Sequence, residues 1–409
     1  MKKIISSILI IILALFTFTS CKSNDSSNKA EDISYEKALE SSKGTTVNFY
    51  GFGGDEAFNK WVDNTLAKEV KEKYNITLKR VPMNIEDILN KLIGEKQGNS
   101  KGTIDLVWIN GENFYSAKKA NLLYGPYVDK LPNFEKYIDT KSSDATTDFG
   151  YPIEGYESPY GKAQLVMVYD SDVVKNIPKN TTDLLNLCKE NPGKYTYPAP
   201  PDFTGSVFVR NVIYDILGPD IFKNLPNDKE KIKEAIKPAL DYLVSLKPYL
   251  WNEGKTYPST LAQLNNMFAD KEVIGTISYN PNSIEVKKEL GEYPKSAVSS
   301  IFEKGTIGNT HFVAIPFNAE NKNGAMVVAN EILTPKMQIT KYDPKVLGDL
   351  PVLDTSKLSD DEKAMLEKIN IPSSILPVET LFNNRYPEPA AHLVPIIEEI
   401  WQEYVLKGW

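Results

Sequence analysis

The stretch VNFYGFGGDEAFNKWVD, residues 47–63, passes from a strand-like run through a glycine-rich turn into an amphipathic segment. Val47 and Phe49 alternate with their neighbours at the spacing of a half-buried strand. Phe58, Trp61, Val62, Leu66 and Val70 then recur at helical spacing as far as Tyr74. Gly51, Gly53 and Gly54 make the turn, and Asp55 stands where a helix N-cap belongs. A second strand-like run, ITLKRVPM (76–83), follows the helix, so the unit reads as β-α-β with a parallel sheet.

The pattern repeats outward. IEDILNKLIGEK (85–96) reads as a helix, IDLVWI (104–109) as a buried strand, and a further helix ends at NLLYGP. A second region begins near YGKAQLVMVYD (160–170). It takes in YTYPAPPDFTGS (195–206), a helix from Val207 to Leu217 closed by Gly218-Pro219, and more helices to about Ala269, and it ends in the strand EVIGTISYN (272–280). GNTHFVAIPFN (308–318) reads as a strand passing back to the first region, followed by the helix AMVVANEIL (325–333). The last helices, through VPIIEEIWQEYVLKGW (394–409), are expected on the second region. The fold class is therefore α/β with two hinged lobes and a central ligand cleft. Residues 44–152 with 308–340 form the first lobe, and 153–307 with 341–409 the second.

Met1-Lys2-Lys3 and an apolar run from Ile4 to Phe18 read as a secretion signal over residues 1–20, too short for a membrane span. Cys21 at its end, preceded by Phe18-Thr19-Ser20, resembles the bacterial lipobox, in which the thiol is acylated and the signal cut just before it. An ordinary cleavable signal is the alternative. Residues 22–43 are small, polar and charged, and read as a flexible linker with one short helix. Without the first 20 residues, 45 basic side chains face 54 acidic ones, a net charge of −9, which argues against nucleic acid as a partner. Cys188 is the only other cysteine, so an acylated Cys21 leaves no internal disulfide.

Gly53-Gly54-Asp55-Glu56 lies one insertion from the GGDEF signature of nucleotide cyclases. That signature sits on a hairpin turn in the cytosol, whereas here it joins strand to helix behind an export signal. Four strand-end turns could instead carry a ligand site. The first brings the backbone of Gly53 and Gly54 to the sheet edge. The second, after IDLVWI, offers the Trp108 ring, the Asn110 and Asn113 amides and the Glu112 carboxylate. The third joins Thr204 and Gly205 to a helix start with Ser206 as N-cap, suited to an anionic or hydroxyl group. The fourth is Tyr279-Asn280. Core packing and plain capped turns would use the same residue types.

Enzyme signatures are missing. The two histidines, His311 and His392, form no HExxH arrangement, and no G-x-S-x-G elbow, P-loop or dinucleotide fingerprint occurs. His311 reads as a core or hinge histidine and Cys188 as a buried, inert thiol. A carbohydrate-active hydrolase needs only two facing carboxylates, which spacing cannot exclude.

WINGENF, ESPYGKAQL, YPAPPDFTG, PYLWNEGKTYP, YNP and GTIGNTHFVAIPFNA, in this order from about Thr45 to about Leu353, resemble the extracellular solute-binding proteins of ABC importers, family 1, with the type-II periplasmic-binding-protein fold and, within it, the YnjB-like subgroup. INIPSSILPVET matches less securely. The resemblance implies an extracytoplasmic receptor, anchored to the membrane through a lipid on Cys21, that works as a monomer. It would close on a small solute and deliver it to a permease powered by an ATPase, without a cofactor or metal. Carried onto the matching motifs, the cleft candidates are Gly53, Gly54, Trp108, Asn110, Glu112, Tyr160, Gln164, Thr204, Gly205, Tyr279, Asn280 and Asn309. Trp108, Tyr160, Tyr279 and Glu112 favour a ring or a cation, and the Thr204-Gly205-Ser206 helix start an anion. A thiamine-like compound suits both, with polyamines and sugars next.

Overall fold

The computed structural model describes residues 33–223 and 225–408; the signal and Cys21 lie outside them. Its strands, in chain order, are β1 (Thr46–Gly51), β2 (Thr77–Pro82), β3 (Leu106–Ile109), β4 (Leu123–Tyr124), β5 (Thr147–Asp148), β6 (Tyr151–Pro152), β7 (Glu157–Gln164), β8 (Val166–Asp170), β9 (Gly275–Ser278), β10 (Ala297–Ser300), β11 (Thr306–Pro316) and β12 (Arg385–Tyr386).

β1 pairs in parallel with β2 and β3, as its β-α-β reading requires, and β11 runs antiparallel to β3, to β4 and to β7. The sheet is mixed because β11 enters from the second lobe and meets the parallel strands head-on. Both faces are covered: Phe49, Leu106 and Val313 on one, Val107, Ile109, Phe312 and Ala314 on the other. That double burial explains why LVWI, Leu106–Ile109, is a continuous apolar run. The second sheet is antiparallel in the order β10-β8-β9, and it shares a core with the helices Phe203–Leu217, Lys229–Leu246 and Val394–Trp401.

Several expectations change in detail. Asp55 does cap a helix, its carboxylate accepting from the Phe58 N–H at 3.0 Å, but that helix is α only over Glu56–Trp61 and Ala67–Tyr74, with a π turn at Val62–Leu66 between them. Residues 33–43 are docked rather than a flexible linker. The helix Tyr35–Ser41 lies on the helix Lys322–Ile332, where the Asn330 amide donates to the Tyr35 hydroxyl at 2.9 Å. The helix expected from Val207 begins at Phe203, since the N-cap is Asp202, whose carboxylate accepts from the Gly205 N–H at 3.0 Å. β7, placed by sequence in the second lobe, bonds within the first sheet, because the chain changes sheets only at Leu165 between β7 and β8. Val352, Leu353 and Leu358 likewise belong to the first core.

β11 and the β7–β8 run thus cross side by side, tied where the Gln164 N–H donates to the Tyr279 carbonyl at 3.1 Å and the Leu165 N–H to that of Ile307 at 2.8 Å. A third crossing follows Leu358, since Leu366, Ile369 and Ile375 pack on the second core; ahead of it Lys341 and Asp349 form a buried ion pair at 2.7 Å. A Cβ on Gly161 would fall 2.1 Å from the Asp349 carboxylate, so only glycine fits beside this pair.

Candidate functional site

The ends of β1 and β3 deliver their turns to the seam between the two sheets. Trp108 leaves β3 partly buried and packs with Phe58 (ring centroids 4.8 Å), Tyr160 (5.8 Å) and His311 (5.3 Å). His311 then meets Tyr279 of the second lobe at 5.9 Å, and Tyr279 meets Phe203 at 5.2 Å. An aromatic wall therefore runs without interruption from one lobe to the other. The Trp108 indole N–H and the Tyr160 hydroxyl are buried without a hydrogen-bond partner, which buried polar groups rarely are.

The second lobe contributes a charged knot. Arg210 is fully buried; its Nε donates to Glu388 at 2.8 Å, its Nη2 to the same carboxylate at 3.1 Å, and its Nη1 to the Ser206 hydroxyl. Ser206 in turn donates to Glu398 at 2.6 Å, and the Tyr279 hydroxyl to Glu388 at 3.0 Å. Burial opposes the charge of Arg210, yet Glu388 holds its pKa above the ordinary guanidinium range. From the first lobe Glu112 enters this field. Burial raises its carboxyl to about 7 against the pull of Arg210, with Glu398 and Glu388 adding to the rise. Its Oε1 accepts from Asn113 at 3.0 Å, whereas its Oε2 is buried with no donor.

Behind Glu112, the Gly111 N–H donates to the Asp148 carboxylate, which burial holds well above its usual pKa. Gly111 adopts φ +64°, and a Cβ there would lie 2.9 Å from the Phe149 ring. Phe149 bridges the seam: its ring lies 6.4 Å from Phe203 and 5.8 Å from the Arg210 guanidinium, and its carbonyl accepts from the Ala391 N–H at 3.0 Å.

The sequence-derived candidates divide accordingly. Trp108, Glu112, Tyr160 and Tyr279 meet at the seam. Asn110 joins them, its amide 3.4 Å from His311 Nδ1. Burial drops the His311 pKa to about 3, so this histidine stays neutral in the crossing strand. Asn309 is buried with both amide atoms unpartnered. The others have structural duties. The Gly53 carbonyl accepts from Asn59 at 2.9 Å, and a Cβ on Gly54 would strike the Phe52 ring at 2.3 Å. Gln164 Nε2 ties Thr306 and the Asn384 carbonyl, both at 3.0 Å. Thr204 is buried, and a Cβ on Gly205 would lie 2.1 Å from the Pro198 carbonyl, so Gly205 serves close packing. Asn280 shapes its own turn and donates to the Leu347 carbonyl at 3.1 Å. At the helix start expected to hold an anion, the Asp202 carboxylate accepts from the Gly205 N–H and the Ser206 hydroxyl accepts from Arg210. Arg210, Glu388 and Glu398 were not singled out from sequence, since no local motif marks charges that meet across about 180 residues. Cys188 is buried and its thiol pushed up to about 12 by burial.

A family model described as bacterial extracellular solute-binding protein matches residues 65–368. The chain belongs to that family. Over 372 residues, 90% of this chain and 92% of the relative, it is 37% identical to Protein YnjB of Escherichia coli (strain K12). Solved structures with the same fold include the periplasmic binding protein AfuA of Actinobacillus pleuropneumoniae with fructose-6-phosphate bound, at TM-score 0.62 and 14% identity over 88% of this chain and 98% of that one. The spermidine/putrescine ABC transporter substrate-binding protein PotD of Streptococcus pneumoniae, in complex with calcium and HEPES, superposes at TM-score 0.59 with 15% identity over 88% and 98%. The fold is the two-lobed periplasmic-binding fold, and the family is one of transport receptors rather than enzymes, so the hydrolase alternative falls. As a family member the protein is extracytoplasmic, binds a small solute and works with an ABC permease and its ATPase.

Proposed function

We propose that the protein captures a cationic, ring-bearing solute of the thiamine type in the seam between the lobes, closes on it about the three crossings, and does so as a monomer tethered by a lipid on Cys21. The observation that carries this reading is the buried, unpartnered Glu112 Oε2, set among Glu388, Glu398 and Asp148 with Arg210 as the one guanidinium among them. Carboxylates in that surplus leave a place for positive charge, and the Trp108, Tyr160 and Tyr279 rings supply faces for stacking and cation–π contact, worth about 0.5–2 kcal/mol each. The Phe149–Phe203 bridge is a contact that lobe opening would break. A polyamine is the second reading, since the same carboxylates suit ammonium groups; the aromatic wall favours the ring. Sugars come third, for lack of need of so many acids.

Calorimetric titration with thiamine, spermidine and a panel of sugars tests this. One-to-one binding of thiamine without turnover, lost in Trp108→Ala and Glu112→Gln, is the expected result. A thermal-shift screen reads the same event, because a ligand at 100 times its Kd stabilises by about 2.7 kcal/mol. Heat from sugars alone, or thiamine affinity untouched by both substitutions, would reject the cationic-ring reading.

A further inference from the structure

Arg385, which the sequence reading passed over, lies at the first position of β12, whose pairing with β11 sets Arg385 opposite Thr306. Its side chain is 14% exposed and runs past Gly308, where a Cβ would fall 2.5 Å from Arg385 Nε, so glycine lets the guanidinium lie against the strand. Only Nη1 is engaged, donating to Asp144 at 3.1 and 3.2 Å; Nε and Nη2 are buried with no partner. Asp144 is itself shared, since Lys162 reaches it at 3.0 Å. Two cations therefore divide one carboxylate. Thr310 stands directly across from Lys162 in the β7–β11 register, on the same face of β11 as Gly308; it is 4% exposed and its hydroxyl is unpartnered. A hollow of about 240 Å³ reaches Asp144 and Lys162 from outside, past Asp139 and Asp354, which accept hydrogen bonds from the N–H groups of Lys141 and Ser356. The Arg385 charge is felt by both His311 and Tyr279, so it stands within electrostatic reach of the seam.

We propose that the two unspent Arg385 nitrogens, Nε and Nη2, and the Thr310 hydroxyl form a subsite for an anionic oxygen group, a phosphate or carboxylate carried by the solute. Guanidinium N–H pairs match such groups in geometry as well as in charge. This rests on the solute reading above and deepens it: the solute is positive towards Glu112 and negative towards Arg385, and the anion contact expected at the Thr204-Gly205-Ser206 helix start is met here instead.

Two titrations test the subsite, on wild type, Arg385→Gln, Arg385→Lys, Thr310→Val and Asp144→Asn, each checked for folding by circular dichroism. The first uses inorganic phosphate at constant ionic strength. Saturable binding is expected in wild type, weakened at least tenfold in Arg385→Gln, partly retained in Arg385→Lys, weakened severalfold in Thr310→Val and strengthened in Asp144→Asn, which frees Nη1 from its competitor. A merely structural Arg385 would not give that last gain. Equal phosphate affinity in wild type and Arg385→Gln, or no saturation, overturns the subsite. The second titration compares thiamine monophosphate with thiamine. A tenfold preference for the phosphorylated form, collapsing in Arg385→Gln, supports a group borne by the solute. Equal affinities alongside phosphate binding assign the subsite to a free anion and overturn that part. Failure of both thiamine forms while the phosphate results hold defeats the solute reading and leaves the subsite standing.

Discussion

The two arginines that lie close to the seam are spent differently. Arg210 and its partner Glu388 are each 1% exposed, and all three guanidinium nitrogens donate within the protein, to Glu388 and to Ser206. Arg385 is 14% exposed and uses one nitrogen, on a carboxylate that Lys162 also claims. The first is a girder between the helix Phe203–Leu217 and the segment at Glu388; the second has donors to spare. Residue type and burial alone would rank Arg210 as the ligand contact. Counting spent N–H groups reverses the order.

The largest effect belongs to the girder. Glu388→Gln leaves a buried guanidinium without its counter-charge and is expected to cost about 3–5 kcal/mol in urea unfolding, whereas Arg210→Met with Glu388→Leu removes both charges and should recover most of that loss. A cost for Glu388→Gln of under about 1 kcal/mol would mean that Arg210 is no more committed than Arg385, and the contrast would break.

Next comes the aromatic wall. Trp108→Ala removes the ring between Phe58, Tyr160 and His311 and is expected to lower thiamine affinity about thirtyfold, or ~2 kcal/mol. Far-ultraviolet circular dichroism should remain that of the wild type.

The burial of Glu112, which outweighs the pull of Arg210, also sets a pH response. Glu112 has a folded pKa of about 7 against an ordinary value of 4.5, so the folded state keeps its proton over an interval in which the unfolded chain has lost it. Its contribution to stability is therefore present below pH 4.5 and lost as pH rises through 7. Binding of a cation runs the other way, because the carboxylate is the binding form: thiamine affinity should rise about tenfold from pH 6 to pH 8, roughly 1.4 kcal/mol. Both slopes should flatten in Glu112→Gln, and an unchanged binding profile in that variant would remove Glu112 from the site.

How much of this was legible in the sequence follows from the range of the interactions. Short-range signals carried well: Asp55 as N-cap, the apolar run of β3, and β11 as a crossing strand rest on neighbouring residues. Trp108, Tyr160 and Tyr279 could be placed near the seam from sequence because each stands in a strand or just past its end, and Glu112 because it opens the helix after β3. The helix start at Phe203 was misjudged because Asp202 and Ser206 are both good caps on paper; the geometry of Gly205 against Pro198 chooses the earlier one. The charged partners were missed for a different reason. Glu388, Glu398 and Arg385 lie in the last thirty or so residues of the chain and act on residues far away along it, so no spacing rule connects them.

The smallest effect returns to Arg385. Asp144→Asn deletes a carboxylate from an arginine just as Glu388→Gln does, yet the surroundings differ: Asp144 is 29% exposed, Lys162 20% and Arg385 14%. Water can take up part of what the carboxylate gave, so the expected cost is about 0.2–1 kcal/mol, within the range of exposed ion pairs. The same chemical deletion should therefore differ severalfold in free energy at the two arginines, and urea unfolding of both variants under one set of conditions measures the ratio directly. If Asp144→Asn costs as much as Glu388→Gln, Arg385 is a second girder, its unspent N–H groups are incidental to packing, and only the Arg210 side of the comparison survives.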